Sequence, residues 1–259
     1  MTKEIRELIE EAIKLILNAH KIVVFTGTGV STDSGVSAAT SPSNVLINTS
    51  KGLAFPTFIG NHTTRRRSWQ TWNMFRMIEM AQPNPAHYAI AELDKMGKLD
   101  CVITQNVDGL HQKAGVPDEK VIELHGSLRW LKCTNCNKRY PIIEVAKMLA
   151  KGEEKSICSD CGGMLKAATV SFGEPPLTKE TSEAEQHSRS CDLFMVLGSS
   201  LMVQPAAYMP VYAVEAGAKL LIVNMGTTTI DEQANVLINR LIGKVLPKII
   251  EDVRSRLAQ

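Results

Sequence analysis

Cys133-Thr-Asn-Cys136 and Cys158-Ser-Asp-Cys161 are two C-x2-C knuckles with 21 residues between them. A knuckle brings two thiolates to one ion from a tight turn, and two knuckles complete a closed, tetrahedral zinc site. Four thiolates leave the metal no open position, so such a zinc is structural; a redox dithiol or four unrelated thiols are the competing readings. Cys101 and Cys191 stand beside apolar runs and read as small buried residues. Gly27-x-Gly29 and Gly198-Ser199-Ser200 each follow an apolar run. Such turns let a backbone approach a phosphate, and two of them at strand ends suggest a nucleotide crevice. The first is not the ordinary dinucleotide fingerprint, because the next glycine, Gly35, falls six after Gly29, and a plain strand-to-helix turn competes with it. Gln105-Asn106-Val107-Asp108 follows a third run and His125-Gly126 closes a fourth. Amides, a carboxylate and an imidazole at strand ends can hydrogen-bond a ribose and a carboxamide, with the histidine as general base. His62, His87, His111 and His187 show no such clustering and read as structural or surface residues.

These groups need elements to position them. Residues 3–19 repeat Ile and Leu at three-and-four spacing and predict an amphipathic helix. Lys21–Phe25 predicts a buried strand feeding the glycine turn, with a helix from about Ser31. Cys101–Ile103, Val121–Leu124, Leu193–Leu197 and Leu220–Val223 are further short apolar runs, with helix-like segments near 85–96, 179–189 and 206–216. This alternation predicts an α/β fold with a parallel sheet covered on both faces. Residues 37–64, rich in Ser, Thr, Asn and Gly, read as a long loop of the functional or disordered kind. Residues 128–168 hold four of the six cysteines and read as a small inserted module.

With 44% hydrophobic and 22% charged residues the composition is that of a globular chain, and 259 residues suit one large domain or one domain with a small satellite. A net charge of +2 gives no strong field for nucleic acid or anionic lipid, and Arg65-Arg66-Arg67 reads as a solvated turn. The first twenty residues lack an uninterrupted apolar signal core, and no stretch approaches a membrane span. A soluble, cytoplasmic protein is expected, and reduced thiols there favour metal ligation over disulfides.

Thr104-Gln-Asn-Val-Asp-Gly-Leu-His111, Glu123-Leu-His-Gly126, the two knuckles, Phe172-Gly-Glu-Pro175 and Gly198-Ser-Ser-Leu201 through Pro205-Ala206 stand in the order and spacing of the sirtuins, as do Asn84-Pro-Ala-His87 and Ile222-Val-Asn224. The chain resembles that family over about residues 21–36 and 81–245. The resemblance implies a Rossmann-like NAD-binding domain (1–36, 81–127 and 169–259), a cofactor loop and helical part of a small domain (37–80), and a zinc-ribbon module (128–168). It implies NAD as a co-substrate that is cleaved, one structural Zn2+, and an acylated-lysine protein or peptide as partner. In sirtuins the acyl oxygen attacks the ribose carbon that bears nicotinamide, and a histidine then deprotonates a ribose hydroxyl; free lysine, nicotinamide and O-acyl-ADP-ribose result. Carried over by position, His125 is that base, working with Asn106 and Asp108. Gln105, Asn106, Val107 and Asp108 hold the nicotinamide half of NAD. Thr26, Gly27, Thr28, Gly29 and Thr32 line the phosphate side, and Gly198, Ser199, Ser200, Asn224 and Ile242 the adenosine side. Val170, Phe172, Gly173 and Glu174 form the edge on which an extended peptide pairs, and Cys133, Cys136, Cys158 and Cys161 hold the zinc.

The sequence departs from sirtuins in one place. Where they continue the first turn with Gly-Ile-Pro-Asp-Phe-Arg, this chain reads Gly35-Val-Ser-Ala-Ala-Thr40, and Thr28 replaces a small alanine. The missing phenylalanine shields the reactive ribose in the family, and the missing arginine fixes the loop over NAD; their loss admits water and weakens the hold on the dinucleotide. Deacylation at reduced rate is the leading expectation. NAD hydrolysis, ADP-ribosyl transfer and a non-catalytic NAD or acyl-lysine binding module are the alternatives. Thr71-Trp-Asn-Met74 offers no Tyr and Arg pair of the kind that selects acidic acyl groups, so a neutral acyl group, acetyl by default, is expected. Lys132, Lys138 and Arg139 lie near the knuckles without the interleaved aromatics that stack bases, which argues against nucleic acid.

Overall fold

A computed structural model describes residues 3–36, 80–144, 157–170 and 174–259. Ser37 to Thr40, the rest of the expected loop and helical segment up to residue 79, and Phe172 and Gly173 lie outside the described residues.

The chain opens with helix α1 (Lys3–Asn18), which buries Ile5, Ile9, Ile13 and Ile16 along one face, as the three-and-four spacing requires. Strand β1 (Ile22–Thr26) is wholly buried. Its alternate side chains divide between two cores, Ile22 and Val24 on one face of the sheet, Val23 and Phe25 on the other. Strands β2 (Leu99–Thr104), β3 (Val121–Glu123), β7 (Leu193–Leu197), β8 (Lys219–Val223) and β9 (Val236–Ile238) join it in a six-stranded sheet of order β3-β2-β1-β7-β8-β9. Every pairing is parallel. Helices α1, α2 (Pro85–Lys95) and α6 (Ile242–Leu257) cover one face; α4 (Thr178–Ser190) and α5 (Met209–Glu215) cover the other. The six strands, taken in chain order, run 3-2-1-4-5-6 across the sheet, the doubly wound arrangement. Its order reverses between β1 and β7, and a ligand belongs at the carboxyl ends there.

A second, antiparallel sheet, β5-β4-β6, is built from β4 (Gly126–Cys133), β5 (Arg139–Pro141) and β6 (Leu165–Thr169). It carries the cysteine knuckles.

One expectation is corrected. No α-helix starts at Ser31; two 3-10 turns, Thr28–Val30 and Thr32–Ser34, follow Gly27 and end at Gly35 with φ +79°. The left-handed residue stops the coil before a full α-turn forms. Strand β9 and helix α6 were not expected from periodicity: β9 has three residues, and α6 carries Pro247 inside it, which reads as a break. Cys101 and Cys191 are buried as expected. Burial pushes both thiols up, that of Cys191 to about 12, so they are inert packing groups. Among the described residues no helix is long and apolar enough to cross a membrane.

Candidate active site

The two small-residue turns meet at the switch point. Gly27 N–H donates to Leu197 O at 3.1 Å and Gly29 N–H to Gly198 O at 3.0 Å. A Cβ on Gly27 would lie 2.6 Å from Gly198 O, and one on Gly198, whose φ is +66°, would lie 2.7 Å from Val30 N. Glycine is required on both sides because backbone packs on backbone. The result is a floor of peptide groups between β1 and β7, where a phosphate can come close.

From this floor the polar residues rise in order. Gln105 N–H donates to Thr26 O at 3.0 Å, which ties the exit of β2 to that of β1. Asn106 is buried; its Nδ2 donates to Gly27 O at 3.0 Å and to Ser31 Oγ at 3.2 Å. Its Oδ1 is also buried, without a partner among the described residues. A buried acceptor left bare costs about 1–3 kcal/mol unless something supplies a donor. A carboxamide N–H fits that need. Asp108 accepts from Ser31 Oγ at 2.7 Å and from Leu110 N–H at 3.0 Å. Burial pushes its carboxyl above the usual range, and these bonds restrain the shift. Val107 packs with Leu128 in a small apolar cluster that seats the loop. Ser31 was not singled out in the sequence, although it links Asn106 and Asp108.

His125 follows β3, and its Nδ1 lies 3.0 Å from Gln105 O. The carbonyl accepts, so Nδ1 carries the proton and Nε2 keeps its lone pair. Burial lowers the pKa of the ring, which the bond to Gln105 partly opposes. A neutral imidazole with one free nitrogen is the state a general base needs. The Gln105 side-chain Oε1 also accepts from Ser199 Oγ at 2.7 Å, so one residue, through its backbone carbonyl and its side chain, connects the histidine to the second turn. Val170 N–H donates to His125 O at 2.9 Å, beyond the Gly126–Thr169 pair of β4 and β6.

The remaining expected residues lie farther along the crevice. Thr28 O accepts from Thr32 Oγ1 at 3.3 Å. Ser200 is exposed at the mouth of the second turn. Asn224 directly follows β8, its Nδ2 donating to Gly226 O at 2.9 Å. The Ile242 side chain is buried in the core, leaving only its first-turn backbone for a ligand. Glu174 is paired with Lys166 at 2.8 Å, and Lys166 also donates to Thr169 O.

In the ribbon, Cys133 and Cys161 sulfurs are 3.5 Å apart, as are those of Cys136 and Cys158. All four lie within 4.8 Å of one another. That is well beyond a disulfide bond. A tetrahedral zinc with Zn–S near 2.3 Å has edges of about 3.8 Å, so the cluster fits that ion. The Tyr140 hydroxyl, 3.1 Å away, holds the Cys158 thiol down to about 6.

The Sir2 family model matches residues 27–205, more than half of the chain. The chain belongs to the Sir2 family. This sirtuin is 42% identical to an NAD-dependent protein deacetylase of Thermodesulfovibrio yellowstonii over 96% of both chains. It is 40% identical to NAD-dependent protein deacylase 2 of Archaeoglobus fulgidus, over 95% of this chain and 96% of the relative. A solved Sir2 structure with a p53 peptide and NAD+ superposes with a TM-score of 0.80 at 34% identity, covering 94% of the sirtuin and 98% of that chain.

Proposed function

We propose that this sirtuin is an NAD-dependent protein lysine deacylase acting on acylated lysines in proteins or peptides. When bound, NAD supplies an ADP-ribose that takes up the acyl group as nicotinamide leaves. His125 carries the reading. Its Nδ1–H is spent on Gln105 O, so the Nε2 lone pair is the one available to take a ribose-hydroxyl proton. The bare Oδ1 of Asn106 accepts from the carboxamide N–H, and Asp108, braced by Ser31, holds the same loop in place. Thr26, Gly27, Thr28, Gly29 and Thr32 bind the phosphate side through the glycine floor; Gly198, Ser199, Ser200, Asn224 and Ile242 bind the adenosine side. Val170 and Glu174, with Phe172 and Gly173 between them, receive the peptide as an added strand. Cys133, Cys136, Cys158 and Cys161 hold a zinc that braces β4 and β6 and takes no part in chemistry.

The same reading divides the chain into a Rossmann-like domain, a segment over 37–80 and a ribbon over 128–168, makes a neutral acyl group the substrate, and puts the protein in the cytoplasm. Replacement of His125 by Ala tests it. Loss of the base lowers acetyl-peptide turnover by about 10²- to 10⁴-fold, while NAD binding persists because the ring is not part of the glycine floor. Unchanged turnover contradicts the assignment.

A further inference from the structure

Beneath the cleft a buried polar chain joins Thr26 and Asn106 to a histidine, His111, that the chemistry above does not use. Thr26 Oγ1 gives its proton to Thr104 Oγ1 at 2.8 Å. It therefore accepts from His111 Nε2, 2.9 Å away, which makes His111 the Nε2–H tautomer. Thr104 Oγ1 in turn accepts from Asn106 N–H at 3.0 Å. Thr26, Thr104 and His111 are all at most 2% exposed. Three residues after Asp108, on helix α3 (Leu110–Lys113), the His111 ring thus grips the exit of β1 and draws the Asn106–Asp108 loop down onto the Gly27 turn.

The far side of the ring is also specified. Asn84 N–H donates to His87 Nδ1 at 3.4 Å, so His87 too is the Nε2–H tautomer. Its ring centroid is 5.1 Å from that of His111. The two ring nitrogens left without a partner among the described residues are His87 Nε2, a donor, and His111 Nδ1, an acceptor. They are complementary. Burial holds both rings neutral, with pKa values below the ordinary histidine range, and a neutral ring is what this pattern needs.

We infer that His111 is a positioning residue for the carboxamide pocket: through Thr26 and Thr104 it fixes the backbone of Asn106 and hence the aim of the amide that receives the leaving group. The inference rests on the NAD-cleaving reading of Asn106. It requires that loosening His111 impair the nicotinamide half of the site and spare the peptide half, which follows β6 at Val170 and Glu174.

Steady-state deacetylation with nicotinamide as inhibitor tests it, using His111→Ala, His111→Gln and Thr26→Val. The valine keeps the threonine shape without the hydroxyl, so it breaks the chain without opening a cavity. His111→Ala and Thr26→Val should each raise the nicotinamide inhibition constant by about tenfold and leave the peptide KM within about twofold. His111→Gln, whose amide N–H can reach Thr26, should recover most of the loss. An unchanged inhibition constant in folded Thr26→Val, or a peptide KM that rises in parallel, overturns the inference. If the wild-type protein shows no turnover, the proposed activity fails by itself. Calorimetric titration with NAD and with ADP-ribose then decides on His111, since its variants must weaken NAD and spare ADP-ribose, which lacks the carboxamide; equal weakening overturns it.

Discussion

At the scale of single residues, the chemistry depends on one nitrogen. His125 spends Nδ1–H on Gln105 O, and burial depresses its pKa. The ring stays neutral at and somewhat below pH 6.5, the ordinary value. The acid limb of kcat/KM should therefore be centred below pH 6.5, and a limb at or above that value would exclude His125 as the base. The position of His125 was readable because the glutamate, leucine, histidine and glycine stand together in one motif. Asn106 and Asp108 were readable for the same reason. His111 and Ser31 were not recognised as site residues, because their partners are distant in sequence: His111 meets Thr26, 85 positions away, and Ser31 meets Asp108, 77 away. Only the pairing of β1 with β2 brings such groups together.

At the scale of elements, the cleft depends on how closely the turns approach. Gly198 has φ +66° and no room for a methyl against Val30 N, whereas Gly35 has φ +79° and open space around it. Gly35→Ala should cost about 1–2 kcal/mol, the strain alone. Gly198→Ala should cost more than that and also lose NAD affinity; urea unfolding and calorimetry on both variants measure the difference. Equal costs would mean that the two turns do not abut. The ribbon gives a second prediction. Chelation of zinc should abolish turnover through loss of the β4–β6 pairing beside His125 and Val170, and restored zinc should bring it back; activity that survives complete zinc removal would refute the bracing role. The parallel strands and the knuckles were legible because apolar runs and C-x2-C spacing are local signals. The turn after Gly29 was read as a helix because nothing local reports the left-handed Gly35. Strand β9 was missed because its three residues carry no periodicity and, unlike the equally short β3, no glycine turn closes the run.

For the molecule as a whole, acid sensitivity follows from the buried histidines. The pKa values of His87, His111 and His125 are lowered in the folded state, that of His87 to about 4 against an ordinary 6.5. Below pH 6.5 these three histidines bind more protons in the unfolded chain than in the folded one, so the stability they contribute is fully present above that pH and is lost as the pH falls toward 4, while the raised carboxyls of Asp108 and Glu123 act in the opposite direction. His87 alone accounts for about 3 kcal/mol of this loss. Urea denaturation from pH 7 to pH 4 should show a steep decline that His87→Gln reduces; a flat profile would contradict the neutral, buried assignment. The parallel α/β class was legible from the alternation of strands and helices, and the two small-residue turns suggested a crevice, but the strand order that brings those turns together was not legible, since periodicity does not report it.

NAD cleavage is tied to removal of an acyl group from lysine. Nicotinamide release measured with and without acetylated peptide, alongside deacetylated product, tests it most directly. Nicotinamide and free lysine should appear in a one-to-one ratio, with release falling to a small background when peptide is omitted. Release at the same rate with and without peptide would contradict it.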